Sequence, residues 1–500
     1  MKDPNVSRRE FLRTSSAAAG AVIASSMLPQ GSAQETNRKR PNIVFFYNEA
    51  QRADALSLAG NPILSTPHQD RIGREGVYFN NSFCTNALCA PARAVALTGL
   101  HSHTSGALDN QTIEPLPPDI PIFTDLLHQA GYDVAMVGKA HVGNGVRERY
   151  WDYYFAFNSP ATDFYNPQVF EGRNGVMGEE KTYKGEFRNQ FPDNPALDWT
   201  GTYADDLFTD RALDWLKQKH DRPFCLLLWL QAPHSPYYRP RRHLDKYSGV
   251  RIPKPATFDD DLKGYPGKPR CFANALNKIG TVQTSESVRS FEELVKNYYA
   301  GLNAVDDNIG RVMGFLESSG QLDDTVVLHS SDHGYFLGEW RCFDKRFMHE
   351  PSIRTPTMIR YPKAFRAGTK VDQMVLNLDF APTLLELAEV DVPQAMQGKS
   401  LVKLAQGNVS AWREDWLYEY FGYPGAEQVR PHRGVRTARY KYIHYFLAPE
   451  EFELYDLQAD LGETNNLIAN PRYAELQAHM QSRLEQLRKS TADHTRDAVA

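Results

Sequence analysis

The stretch NALCAPARAVALTG, residues 86–99, places a cysteine two residues before a proline and four before an arginine. Pro91 suits the first turn of a helix, since its missing N–H would be unsatisfied there anyway. Cys89 is therefore predicted at a helix N-terminus, where free amides and the helix dipole favour an anion, with Arg93 one turn further on. A thiol in this position has a lowered pKa, which favours a nucleophilic cysteine; a buried structural cysteine is the alternative.

Charged and polar side chains follow four predicted strands. The strands are short apolar runs rich in β-branched or aromatic residues, as is typical of buried parallel strands, and they are Asn42–Tyr47, Asp133–Gly138, Phe224–Ala232 and Thr325–Ser331. The side chains that follow them are Glu49, Lys139, His141, His234, Asp332 and His333. Because ligands bind beyond the carboxyl ends of the strands in open α/β sheets, we expect these side chains to converge.

Helical patterns lie between these strands. Apolar residues recur at helical spacing in 121–131, 209–219 and 287–320,. This alternation predicts an α/β fold with a large doubly wound sheet, parallel or mixed, flanked by helices. Two stretches, 144–198 and 237–284, are predicted to be irregular and to leave from the sheet ends, where they can wall a substrate pocket.

The pattern changes after about Pro393. Residues 433–446 and 452–457 alternate in character as antiparallel strands do, and 473–490 predicts a terminal amphipathic helix,. We therefore predict a catalytic α/β domain over 38–392 and a small α+β subdomain, an antiparallel sheet plus a helix, over 393–500.

Residues 1–33 have the order of a twin-arginine export signal. Arg8 and Arg9 precede a short apolar stretch rich in small residues, and Gly31–Ala33 resembles a cleavage site,. The apolar stretch is shorter than the ~20 apolar residues that a spanning helix needs. We expect the twin-arginine export machinery to deliver a periplasmic or extracellular protein; an uncleaved anchor is the alternative.

The charge balance excludes one class of partner. The chain has 56 Lys and Arg against 61 Asp and Glu, a net charge of −5. It therefore lacks the cationic surplus that nucleic-acid binding requires. Its five cysteines are an odd number for an oxidising destination, and most are expected to be buried free thiols,.

The segment CAPARAVALTG, residues 89–99, resembles the signature of the type I sulfatases, Cys-x-Pro-x-Arg followed by Thr-Gly. Further segments resemble the same family in family order, among them RPNIVFFY, GKAHVG, APHSPY, SSDHGYFLGEW, DKRFMHEPSIRTPTMIRYP and ELYDLQADLGETNNL. The resemblance runs from about residue 40 to about residue 465. The chain is thus identified as a member of the formylglycine-dependent sulfatases of the alkaline phosphatase superfamily.

The resemblance implies a modified nucleophile at Cys89. In the family a formylglycine-generating or sulfatase-maturing enzyme oxidises this cysteine in the cytoplasm to formylglycine, an aldehyde. Its hydrate attacks sulfur with one hydroxyl and uses the second to expel sulfate. By the same resemblance, Arg93 and Lys139 would hold the hydrate.

Three further roles follow from the resemblance. Lys139 and Lys345 would neutralise the sulfate oxygens as charge shifts onto them. His141 would assist collapse of the intermediate, and His234 would protonate the leaving oxygen. Without the resemblance, the two lysines could equally be surface residues and His234 a satisfied core histidine.

The resemblance also implies a divalent cation held by Glu49, Cys89, Asp332 and His333. Calcium is the usual ion in the family, and the histidine leaves manganese or zinc open. The family commonly has two adjacent aspartates where this chain has Glu49 and Ala50. Glu49 is therefore predicted as the only ligand from the first strand, with water in the vacant position; a weakened or lost metal site is the alternative.

The predicted function is hydrolysis of a sulfate ester, of a sulfated carbohydrate first and of an aryl or alkyl sulfate next. One alternative is a phosphodiester or phosphonate hydrolase of the same superfamily, which the single carboxylate at Glu49 favours. The other is a non-catalytic binder of sulfated glycans, which Ala50 favours.

Overall fold

The computed structural model describes residues 40–110, 116–183, 202–260, 262, 268, 273–275, 278–279, 290–425 and 427–495. The predicted export signal, 1–33, lies outside these residues. Within the described ranges, no helix is long and apolar enough to cross a membrane.

The strands, numbered along the chain, are β1 Asn42–Asn48, β2 Val77–Phe79, β3 Ser82–Phe83, β4 Asp133–Lys139, β5 Tyr153–Phe157, β6 Gln168–Arg173, β7 Val176–Thr182, β8 Phe224–Trp229, β9 Thr325–Ser331, β10 Phe336–Leu337, β11 Phe343–Asp344, β12 Thr357–Arg360, β13 Thr369–Val371, β14 Val375–Leu376, β15 Asp415–Tyr420, β16 His432–Thr437, β17 Tyr440–Tyr445 and β18 Glu451–Asp456. Ten of them form one sheet in the order β13-β2-β12-β9-β1-β8-β4-β5-β6-β7. Strands β15 to β18 form a separate sheet in chain order.

The α-helices, numbered in the same way, are α1 Pro67–Arg74, α2 Cys89–Thr98, α3 Ser102–Ser105, α4 Phe123–Gln129, α5 Asn144–Arg147, α6 Ala204–Leu216, α7 Phe291–Ser318, α8 Glu350–Ile353, α9 Phe380–Leu387, α10 Val402–Ala405 and α11 Ala474–Ser490. Helices α6 and α7 pack against each other, and α9 packs against α2 and α4. Two separate apolar clusters line the large sheet.

The centre of the large sheet is parallel and buried. Strand β1 pairs in parallel with β8 on one side and β9 on the other, and all seven of its residues are buried. A strand covered on both faces has a continuous apolar run, which is the pattern seen in the sequence. Antiparallel β12 and β6 make the sheet mixed. The predicted α/β class with a doubly wound mixed sheet is confirmed.

The expectation that residues 144–198 are irregular is wrong for residues 153–182, which contain three strands. Strand β5 pairs in parallel with β4, and β6 and β7 form a hairpin that extends the sheet. The hairpin turns at Asn174 and Gly175, which have φ of 52° and 75°. Asn-Gly is the sequence preferred for such a two-residue turn, so the signal was present in the sequence.

A small antiparallel sheet with one helix follows the large domain, as predicted. Helix α11 packs Met480 and Leu484 into an apolar cluster with Leu417, Val435 and Leu454 of the sheet. The sequence reasoning did not identify the first strand of this sheet, β15. The boundary at residue 393 stays a prediction.

Candidate active site

Cys89 is the first residue of α2, as its spacing to Pro91 predicts. All ten residues of the helix are buried, and the helix ends at Gly99, which has φ of 64°. Glycine adopts this left-handed conformation without strain, because it has no Cβ. The buried thiol therefore lies where the helix dipole favours negative charge.

The six side chains that follow the predicted strands converge at one edge of the sheet. Strands β9, β1, β8 and β4 are neighbours and run in parallel, so their carboxyl ends lie together. Lys345 reaches the same place from the residue after β11, and Arg93 from α2. The predicted convergence is confirmed, while the role of each residue stays a prediction.

Glu49 lies at the centre of this cluster and contacts four of its other side chains. Its Oε2 accepts hydrogen bonds from Lys139 Nζ at 2.7 Å and from Arg93 Nη2 at 3.0 Å. Its Oε1 lies 2.9 Å from Cys89 Sγ and 3.4 Å from Lys345 Nζ. All five side chains are buried, which excludes the reading of the two lysines as surface residues.

Asp332 and His333 face Glu49 from the end of β9. His333 Nε2 lies 3.3 Å from Glu49 Oε1, because the other ring nitrogen lies 2.8 Å from the carbonyl oxygen of Gly334 and is directed away. The Oδ1 atom of Asp332 accepts the main-chain N–H of Ala50 at 2.9 Å. Position 50 thus contributes a backbone donor to the cluster, at the place where the family commonly has a second aspartate.

The four predicted metal ligands form one set of donors. One ligand atom from each of Glu49, Cys89, Asp332 and His333 lies within 4.8 Å of the others, and all four residues are buried. This donor set fits a divalent cation: it has two carboxylates, an imidazole and a further residue that can supply oxygen or sulfur. Burial of several ionisable groups costs free energy unless they are paired with opposite charges or bind a metal ion.

Lys139 and Lys345 set the charge state of Cys89 and of Glu49. Burial alone would raise the pKa of Glu49, but Lys139 and Lys345 outweigh it and hold this pKa well below its usual value. Burial and Glu49 raise the pKa of Cys89, and the same two lysines again outweigh them and lower it. The site therefore favours an anion at position 89.

The position of Lys139 depends on the residue before it, Gly138. Gly138 has φ of 104°, and a Cβ there would lie 2.0 Å from the carbonyl oxygen of Trp229 on β8. Any larger residue would push β4 away from β8 and move Lys139 with it.

The two predicted catalytic histidines differ in their contacts. His234 Nδ1 lies 2.6 Å from the carbonyl oxygen of Ser235, and its Nε2 lies 3.9 Å from Glu49 Oε1 and faces the cluster. Burial and Lys139 lower its pKa. His141 has φ of 48°, and neither of its ring nitrogens has a hydrogen-bond partner among the described residues. Burial lowers its pKa to about 4, so the ring is neutral.

Three charged residues beside the site were not identified from the sequence. Asp344 and Arg346 flank Lys345, both with positive φ, and they pair with each other. Arg346 also pairs with Glu427 at 2.8 Å. The run of three charged residues at 344–346 was the available signal for the first two; Glu427 had none, because only the fold brings it here.

Two family models match this chain. The model described as Sulfatase matches residues 41–390, and the model described as N-sulphoglucosamine sulphohydrolase, C-terminal, matches residues 338–490. The first covers more than half of the chain.

Curated relatives match over nearly the whole length. An N-acetylglucosamine-6-O-sulfatase of Bacteroides thetaiotaomicron is 32% identical, over 95% of this chain and 91% of the relative. An ulvan-active sulfatase of Formosa agariphila is 28% identical, over 90% of this chain and 81% of the relative.

Solved structures share the fold. A structure described as a complex with its substrate D-glucosamine-2-N,6-O-disulfate has a TM-score of 0.81 and 31% identity, covering 92% of this chain and 100% of that one. A phosphonate monoester hydrolase of Agrobacterium radiobacter has a TM-score of 0.72 at 21% identity, covering 90% and 96% of the two chains, which shows the fold alone. The site, the family models and the relatives together make this chain a sulfuric ester hydrolase, a member of the sulfatase family in the alkaline phosphatase superfamily.

Proposed function

We propose that this chain hydrolyses the 6-O-sulfate ester of a glucosamine unit in a sulfated carbohydrate. The observation that carries the proposal is the buried cluster of Cys89, Glu49 and the cations around them. The relative that is 32% identical is named for N-acetylglucosamine 6-O-sulfate, and the structure at 31% identity holds a 6-O-sulfated glucosamine. Both support the choice of sugar.

The nucleophile is formylglycine made from Cys89 by a maturing enzyme. Once hydrated, this group supplies one hydroxyl for attack on sulfur and a second that expels sulfate. Arg93 and Lys139 already surround position 89 with positive charge, through their shared contacts to Glu49. They hold the nucleophilic group in its anionic form.

Lys139 and Lys345 bind the sulfate oxygens. Both are buried and both act on the pKa of position 89, so they lie where negative charge shifts onto those oxygens during transfer. Fixed cations in a dry site stabilise such charge far more than they would in water.

His234 donates a proton to the leaving sugar oxygen, and His141 takes the proton that starts collapse of the intermediate. The lowered pKa of His234 arises from burial and Lys139, and an anionic sulfate bound beside it would raise that pKa again,. His141 is neutral and buried, and no described residue is a hydrogen-bond partner of either ring nitrogen, which suits a base,.

Glu49, Asp332, His333 and position 89 would hold a divalent cation, with calcium first among the candidates. When bound it polarises the sulfate. Two carboxylates favour calcium, while the imidazole also suits manganese or zinc.

The sugar is recognised by the charged residues at the edge of the cluster. Arg346 pairs with both Asp344 and Glu427 beside Lys345, and these charged groups can bind hydroxyl and amide groups of a pyranose,.

The test is a comparison of matched substrates with protein whose Cys89 is fully converted and to which calcium is supplied. Released sulfate is measured with three substrates: N-acetylglucosamine 6-sulfate, its galactosamine epimer and 4-nitrophenyl sulfate. Released 4-nitrophenol is measured with a fourth substrate, bis(4-nitrophenyl) phosphate. We expect the glucosamine sulfate to be turned over about 10–100-fold more efficiently than its epimer, because one hydroxyl then lacks its partner.

A second candidate function is hydrolysis of a phosphodiester or phosphonate. Only one of positions 49 and 50 is acidic, Glu49, and a single acidic residue at this point favours the second candidate. Faster turnover of the phosphate diester than of every sulfate would support this candidate and contradict the first. Binding of the sulfated sugar without turnover, with calcium, manganese and zinc each tried, would support a non-catalytic binder.

We further propose export through the twin-arginine pathway to the periplasm or beyond. The arginine pair at Arg8 and Arg9 supports this, together with the short apolar stretch that follows,. Replacement of both arginines by lysine is expected to retain the protein in the cytoplasm, as cell fractionation would measure. Unchanged export would contradict the assignment.

A further inference from the structure

Two histidines and a glutamate converge outside the active site. His101 and His103 lie at the start of α3, directly after the helix that carries Cys89, and Glu419 lies in β15. His103 Nδ1 is 2.6 Å from Glu419 Oε2, and His101 Nδ1 is 3.9 Å from Glu419 Oε1. One ligand atom from each residue lies within 4.8 Å of the other two.

His101 brings an unpartnered nitrogen to this cluster. The residue is 5% exposed, and its Nδ1 has no hydrogen-bond partner among the described residues. Its main-chain N–H donates to Gln397 Oε1 at 2.8 Å, which helps hold the residue in place. A buried ring nitrogen left unpaired beside a carboxylate costs free energy unless something binds it.

His103 is held as metal-binding histidines are. Its Nε2 lies 3.0 Å from the carbonyl oxygen of Thr491 at the end of α11, so Nε2–H donates there and Nδ1 faces Glu419. A second ring nitrogen that donates to a carbonyl is the usual support of a histidine ligand. At 2.6 Å the space between Nδ1 and the carboxylate holds a proton, which a metal ion must displace in order to bind both atoms,.

We propose that His101, His103 and Glu419 bind a divalent first-row transition metal, zinc foremost. Two imidazoles and one carboxylate are a zinc donor set that leaves a fourth position for water. His101 and Thr491 line a cavity of about 610 Å³, which gives the ion an entry and the water a place. When the metal binds, the proton that His103 Nδ1 shares with Glu419 Oε2 at 2.6 Å is released to solvent. The two atoms then move apart to roughly 3.3 Å, the spacing of two ligands about 2 Å from a tetrahedral zinc ion.

The site would join three elements. His101 and His103 follow α2, Glu419 belongs to the C-terminal sheet, and Thr491 ends α11. A metal at this point ties the C-terminal subdomain to the segment that follows the nucleophile helix, and it stabilises the folded chain by mass action. This role is separate from the cation of the active site.

The first test locates the ion directly. Crystals of the wild-type protein are soaked in zinc, and anomalous difference maps are measured above and below the zinc edge. A peak bounded by His101, His103 and Glu419 is expected. Absence of a peak at this cluster overturns the proposal, whether or not zinc occupies the active site.

The second test compares two variants in solution. His101→Gln removes a ligand, whereas His479→Gln alters an exposed histidine on the wall of the same cavity. Zinc bound at equilibrium is measured by dialysis and mass spectrometry, with circular dichroism to confirm folding. We expect His101→Gln to bind one equivalent fewer, with affinity at this site lowered at least ~10-fold, and His479→Gln to match the wild type. Equal zinc content in all three proteins contradicts the proposal.

Discussion

Cys89 Sγ lies 2.9 Å from Glu49 Oε1, with both residues buried. Two groups that each favour the anionic state are thus placed in contact in a dry site. Lys139, Arg93 and Lys345 compensate them through contacts of 2.7 to 3.4 Å to Glu49. The arrangement supports the proposed chemistry at position 89, because a structural thiol needs no such cluster of charge.

The first prediction concerns position 89. Cys89→Ala is expected to lower kcat at least ~10⁴-fold, since the nucleophile is lost. Cys225→Ala is the matched control, because Cys225 is a buried thiol in the core of β8. Mass spectrometry of the tryptic peptide 75–93 should show the aldehyde at Cys89 and an unmodified thiol at Cys84. An unmodified Cys89 in active protein would rule out the formylglycine mechanism.

The second prediction concerns the metal. Glu49→Gln keeps the size of the side chain but removes the charge, so calcium affinity measured by calorimetry is expected to fall at least ~10-fold. Glu339→Gln is the control, a partly buried carboxylate that pairs with Arg52 away from the cluster. Equal affinity in both variants would show that Glu49 is not a ligand.

The third prediction separates the roles of the two histidines. His234→Gln is expected to lower kcat/KM about 10²–10⁴-fold for a sugar sulfate and much less for 4-nitrophenyl sulfate, whose leaving group needs no proton. His141→Gln should slow release of sulfate from the enzyme, whichever alcohol has left. An equal loss on both substrates in His234→Gln would contradict its role as the acid.

The fourth prediction is a pH dependence of stability at the junction with the C-terminal sheet. Glu350 pairs with Arg436 at 2.9 Å and Lys441 at 2.9 Å. Burial would raise the pKa of Glu350, but these cations outweigh it and hold the pKa well below 4.5. A lowered pKa in the folded state means that the ion pair stabilises the protein above pH 4.5 and loses this effect as the pH falls.

Urea unfolding at pH 7 and at lower pH measures this effect. Glu350→Gln should lower the free energy of unfolding at pH 7 by about 3–5 kcal/mol, because it leaves buried cations unpaired. When the pH is then lowered, this variant should lose less additional stability than the wild type loses. Glu317→Gln, which removes an exposed partner of Arg71, should lower the free energy of unfolding far less, because solvent screens an exposed ion pair,. Parallel pH profiles in the wild type and Glu350→Gln would contradict the assignment.

The sequence determined much of the fold and of the site. Apolar runs gave the central strands β1, β4, β8 and β9 to within a few residues, since strands buried on both faces must be apolar throughout,. Polar residues after those runs, and the proline two positions after Cys89, were enough to predict where the chemistry lies. Local rules suffice where a feature depends on neighbours in the chain.

Only the tertiary structure decided how the charges pair. Nothing in the sequence showed that Ala50 would bind Asp332 through its main-chain N–H, or that Glu427 would reach Arg346 from about eighty residues away. The same holds for His101, His103 and Glu419, which no motif joins. The Ala50–Asp332 contact exists because β1 pairs with β9 in one sheet, and the other contacts exist because segments of the C-terminal sheet pack on the large domain. Pairing between charges that are distant in sequence is fixed by this packing and by burial.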